Sequence, residues 1–137
     1  MLEALQAMSS VILDPFLLLL IFATTIIGVI IGVLPGIGAT TGAALLLPFT
    51  LTMTPVHAIT VLATIYVSAT FAGSITAILI NTPGTSAAAA TTFDGFPLAQ
   101  RGEAGRALGV AVVSSTVGGI FSVIVLCIAA PMLARVA

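Results

Sequence analysis

From Pro15 to Phe93 the chain carries no Asp, Glu, Lys or Arg, and what interrupts the apolar pattern is proline and glycine rather than charge. A helix needs about 20 predominantly apolar residues to cross a bilayer. The pattern predicts three such spans, over residues 16–34, 56–80 and 108–131. Asp14-Pro15 opens the first, with the carboxylate at the cap position and the proline where its missing N–H costs nothing. Residues 1–14 are weakly amphipathic, through Leu2, Leu5, Met8, Val11 and Ile12, and predict a short interfacial helix.

Two broken segments lie between the spans, at about 35–55 and 81–92. The first starts Pro35-Gly36-Ile37-Gly38 and is cut again by Pro48 and Pro55, leaving Ala39 to Leu47 as a helix too short for an ordinary span. A re-entrant hairpin or a pair of half-helices is expected, with a short bent crossing as the alternative. The second runs Asn81-Thr82-Pro83-Gly84-Thr85-Ser86 into an alanine run. Thr82 before Pro83 predicts a helix start there. Phe93 to Pro97 reads as a turn, and Gln100 to Arg106 is the one polar run. Arg101 and Arg106 place that loop in the cytoplasm, because basic residues favour the inner side.

Small and hydroxyl residues mark the packing faces. Gly28 and Gly32 have GxxxG spacing, which Gly36 extends, and Gly118-Gly119 recur in the last span. Thr60, Thr64, Ser68, Thr70, Ser74 and Thr76 line one face of the second span. Hydrogen bonds to neighbouring helices are the expectation for that face, with a substrate-facing stripe as the alternative. His57 is read as interfacial and Cys127 as a packing residue.

Only 5% of the 137 residues are charged and 60% are hydrophobic. Soluble domains carry about 25% charged residues, so the chain belongs in a lipid bilayer. A net charge of −1 gives no basis for a nucleic-acid partner. No lysine is present, which excludes a P-loop and Schiff-base chemistry. One His and one Cys with scattered acids build no metal site, and the interior has no acid to pair with a nucleophile, so no enzyme and no cofactor are expected.

Proline and glycine at membrane depth are tolerated where the backbone is buried in protein or lines a cavity. Transporters use such discontinuous helices to hold anions on helix N-termini and cations on unwound carbonyls. The candidate binding residues are therefore Pro35, Gly36, Gly38, Thr40 and Thr41 in the first break, and Asn81, Thr82, Gly84, Thr85 and Ser86 in the second. A helix started by Pro83 would leave the N–H groups of Gly84, Thr85 and Ser86 free for a carboxylate.

Leu34-Pro35-Gly36-Ile37-Gly38 leading to Ala44-Leu45-Leu46-Leu47-Pro48, then Asn81 to Ser86, then Asp94-Gly95-Phe96-Pro97-Leu98, resemble the large permease subunit of the tripartite tricarboxylate transporters. The resemblance covers about residues 14–134. It implies an all-α, multi-pass protein of the bacterial inner membrane. It also implies secondary uptake of citrate-like carboxylates, with Na⁺ or H⁺ as the coupling ion. A small membrane subunit and a periplasmic solute-binding protein would be its partners. Members are several times longer, so the chain is expected to be a single membrane domain forming the N-terminal portion of a permease. The alternative is a small non-transporting module that packs on partner helices through Gly28, Gly32, Gly118 and Gly119.

Overall fold

The computed structural model describes residues 14–133, so the helix expected before Asp14 lies outside the described residues. Those residues form five α-helices and one 3-10 turn. They are α1 (Pro15–Val33), α2 (Gly38–Thr50), α3 (Pro55–Ile80), the turn Ser86–Ala88, α4 (Thr91–Gln100) and α5 (Ala104–Leu133). Three helices, α1, α3 and α5, are long and apolar enough to cross a membrane.

Two Pro-capped starts set the frame. Asp14 accepts the Phe16 N–H at 2.9 Å and Thr54 caps α3 through the His57 N–H at 3.5 Å. His57 Nε2 also lies 3.5 Å from Asp14 Oδ2, with its ring 5.5 Å from that of Phe16. The beginnings of α1 and α3 are therefore side by side. Further along, a Cβ on Gly28 would meet the Ile65 carbonyl oxygen at 3.0 Å, and one on Gly32 would meet Ala69 Cα at 2.6 Å. The order 14–57, 28–65, 32–69 makes α1 and α3 parallel. Leu17, Thr24, Gly28 and Gly32 form the buried stripe of α1. Removing side chains there lets two backbones approach, and dispersion then acts over a long seam.

Parallel α1 and α3 dictate the course of α2. The chain must return from Val33 to Pro55, beside its own starting level, so α2 runs antiparallel to α1. The stretch 35–55 is thus the returning arm of an α1–α2 hairpin, not a hairpin in itself. Leu34 is extended, as a residue before proline should be, and Gly36 and Gly38 take φ of +90° and +67° to close the turn. Gly36 does not continue the glycine seam, since a Cβ there would meet nothing within 4 Å. Pro48 sits inside α2 instead of ending it, and the Thr50 hydroxyl bonds the Leu47 carbonyl at 2.8 Å in the last turn.

The second broken segment is the one that re-enters. Asn81 adopts φ +56° and closes α3 as a left-handed cap. The chain then folds back along α3: Gly84 N–H donates to Gly73 O at 3.3 Å, and Thr85 Oγ1 donates to Thr70 O at 3.5 Å. Over Thr70–Ile80, at ~1.5 Å per residue, the tip lies about 15 Å below the end of α3. From there α4 climbs again, with Gly95 packed on Ile78. Pro83 therefore starts no helix, and Asp94 to Pro97, expected as a turn, lie inside α4. Pro97 gives up one bond of that helix, which ends soon after it, at Gln100. A tight turn through Gly102, φ +81°, leads to α5, which begins at Ala104 rather than Leu108 and descends beside α3 and α4.

Candidate functional site

The second Pro-Gly break meets the last turn of α1, just ahead of the first. A Cβ on Gly84 would fall on the Gly32 carbonyl oxygen and within 3.0 Å of Gly73 Cα, so three glycines bring three backbones together. Gly32 stands one turn before Pro35-Gly36. The last turn of α1 and the tip of the 81–100 hairpin thus approach the same level of α3 from opposite ends. The sequence suggests that Gly84 admits a ligand to the backbone; what it admits is Gly32, and its N–H is spent on Gly73.

The predicted residues divide accordingly. Gly84 and Thr85 are buried at the tip, and Ser86 is exposed beside them. Asn81 and Thr82 stay exposed at the end of α3, where the Thr82 hydroxyl bonds Ile80 O at 3.2 Å. Pro35 and Gly36 are exposed in the α1–α2 turn, Gly38 is half-buried, and Thr40 and Thr41 are exposed on the first turn of α2. Among the described residues, no group accepts from the N–H of Ser86 or Ala87.

The hydroxyls of α3 also divide. Those of Thr60, Ser68, Thr70 and Thr76 donate to carbonyls of their own helix, at 2.7 to 3.2 Å, rather than to neighbouring helices. Ser74 makes no such bond; it opens onto a cleft. That cleft, of about 500 Å³, lies between α3, α4 and α5 and has Asp94 and Arg106 on its walls with Thr91, Ser114 and Ser115. It continues into a space of about 430 Å³ lined by Tyr66, Thr70, Ser74, Ala87, Thr91 and Ser115. Ala87 belongs to the hairpin tip. A separate groove of about 570 Å³ between α1 and α3 is almost wholly apolar; of its three hydroxyls, Thr25 and Ser68 are tied to Ile21 O and Thr64 O, and Thr64 is unengaged among the described residues.

Sequence reasoning missed Thr91, Asp94, Arg106, Ser114 and Ser115 as lining residues. Ser114 and Ser115 look like packing positions and Arg106 like a loop charge. Nothing in the sequence says that the chain after Asn81 turns back along α3 before α4 climbs again, and without that reversal these residues are not neighbours. Gly118 and Gly119, expected to pack, face open space: a Cβ on either would meet nothing within 4 Å among the described residues.

Three long apolar helices and a hairpin folded back among them define a multi-pass membrane protein. Residues 18–137 match the Tripartite tricarboxylate transporter TctA family, and the chain belongs to that family. It is 46% identical over 125 residues to an uncharacterized 52.8 kDa protein of Agrobacterium vitis, from the region 3′ of ttuC′ in TAR-I. That alignment covers 91% of this chain but 25% of the relative, so the chain spans about a quarter of the relative's length. No solved structure matches.

Proposed function

We propose that this chain is part of a longer permease of the bacterial inner membrane that takes up tricarboxylates or related carboxylates by cation-coupled secondary transport. It works there with a small membrane subunit and a periplasmic solute-binding protein. The 101–103 turn faces the cytoplasm, as Arg101 and Arg106 favour. The observation that carries the reading is the second Pro-Gly break folding back against Gly32 of α1 and Gly73 of α3, because re-entrant broken backbone buried among spans is where transporters hold substrate. Family membership supplies the substrate class.

At this meeting point the donors for a carboxylate are the N–H groups of Ser86 and Ala87 and the Ser86 hydroxyl, all at the exposed side of the tip. Asn81, Thr82, Thr85 and the Pro35–Thr41 turn complete the path between the rim and the tip. No lysine or arginine lies in the interior, so neutral donors must carry the anion, with Na⁺ or H⁺ offsetting its charge.

Asn81→Gly and Ser86→Ala in the complete permease test this. Glycine keeps the left-handed cap and removes only the amide. A hydrogen bond to a charged acceptor is worth ~1.5–3 kcal/mol. At ~1.4 kcal/mol per decade, each variant should raise the half-saturation concentration for citrate about tenfold to a hundredfold. Normal membrane levels with unchanged half-saturation and rate would make both residues caps of the hairpin and nothing more.

A further inference from the structure

The cleft between α3, α4 and α5 carries an inference that rests on the permease reading and deepens it. We infer that this cleft is the passage for a carboxylate anion between the hairpin tip and the face bearing the 101–103 turn, with Arg106 as the anion-holding side chain at its mouth.

Four observations on the walls support it. The spaces of about 500 and 430 Å³ share Ser74, Thr91 and Ser115, so two open clefts adjoin, one reaching Arg106 and the other Ala87. Each is within the range of small-molecule sites, about 300–1,000 Å³. The hydroxyls of Ser74, Thr91, Ser114 and Ser115 make no hydrogen bond with the described residues, as is also true of Thr64 and Ser122 outside the cleft, whereas Thr60, Ser68, Thr70, Thr76 and Thr116 are tied to carbonyls of their own helices. Unengaged hydroxyls on facing walls are donors held for something that passes between them.

The third observation is register. Arg106, Val110 and Ser114 fall at four-residue intervals on one face of α5, and Ala107, Ala111 and Ser115 on the adjacent one, so cation and hydroxyls follow one another down a single wall. Asp94 stands on the α4 side and repels an anion, which holds it to the α5 wall. The fourth is availability. Arg106 pairs at 2.9 Å with Glu103, but both side chains face solvent, at 74% and 43% exposure, and such pairs are weak and readily exchanged. The planar guanidinium can then take a carboxylate in two parallel bonds.

The test uses the complete permease with its partner subunits and citrate as the probe, uptake being read in intact cells and thiol reaction in inverted membrane vesicles. Arg106→Gln should raise the half-saturation concentration for citrate on the order of tenfold, from loss of a charge-assisted contact. Arg106→Lys should recover part of it, and Arg101→Gln, which is outside the cleft, should do nothing. Independently, Ser115→Cys in a Cys127→Ser background should react with an impermeant thiol reagent from the side of the 101–103 turn and be protected by citrate. Equal reaction of the Ser115→Cys thiol with and without citrate, together with an unaltered Arg106→Gln, would overturn the passage. If Asn81→Gly and Ser86→Ala still impair uptake in that case, the permease reading stands and only the cleft falls. Absence of citrate uptake by the unaltered complex would overturn both.

Discussion

Gly32→Val is expected to prevent the complete protein from accumulating as a folded membrane species. Gly28→Ala should cost less and be recovered in part by Ser68→Ala. The difference lies in what each new side chain meets. At Gly32 the obstacle is the backbone of Ala69, with Cα at 2.6 Å and the carbonyl carbon at 2.7 Å from an added Cβ. No rotamer change moves those atoms, so α1 and α3 must separate along their whole seam. Overpacking of side chains alone costs ~1–3 kcal/mol, and a backbone obstacle belongs at or above the top of that range. At Gly28 the first obstacle is the Ser68 hydroxyl, which Ser68→Ala deletes, leaving the Ile65 carbonyl oxygen at 3.0 Å. Size-exclusion profiles of detergent-solubilised protein, with thermal midpoints, check both. Equal midpoints for Gly32→Val and the unaltered protein would show that the seam is not the α1–α3 contact.

The second large effect concerns function more than folding. Gly84→Ala should lower citrate uptake by the complete permease to about a tenth or less, while membrane levels stay near normal. An added methyl falls on the Gly32 carbonyl and within 3.0 Å of Gly73 Cα, so the tip must lift off α3. The bonds lost, Gly84 N–H to Gly73 O and Thr85 Oγ1 to Thr70 O, are long at 3.3 and 3.5 Å. Each is worth ~1 kcal/mol, too little to unfold the helices but enough to displace the tip by a decade in affinity, at ~1.4 kcal/mol. Gly109→Ala, where a Cβ would meet nothing within 4 Å, is the matched control. Uptake by Gly84→Ala at the level of that control would contradict a functional tip.

The spans were legible from sequence because their limits are local. Asp14-Pro15 fixes the start of α1 through one side-chain hydrogen bond, and the apolar run from Val56 to Ile80 needs no partner to declare itself. The two glycines of the α1 seam were legible for the same reason: their spacing on a helix is set by the helix alone. Proline misleads in both broken segments. Pro48 and Pro97 sit inside helices, each giving up one backbone bond, and the helices end soon after them, at Thr50 and Gln100. Pro83, expected to open a helix, lies in extended chain that runs back along α3. What holds it there is Gly84 against Gly32 and Gly73, contacts between residues far apart in sequence. Arg106 and Ser115 become cleft residues only through that same reversal. Local chemistry singled out the segment; long-range packing decided which of its residues are buried at the tip and which are exposed.

Everything at the site depends on residues 81–100 entering and leaving on one side, which brings the second Pro-Gly turn down to Gly32 at the end of α1. Thr82→Cys and Gln100→Cys, each made singly in a Cys127→Ser background, test it, since both positions are exposed at the two ends of the hairpin. In the complete protein, an impermeant thiol reagent should label both introduced thiols from the same side of the membrane, in inverted vesicles and not in intact cells. Labelling of the two positions from opposite sides would mean that the segment crosses, and the meeting with Gly32 would be lost.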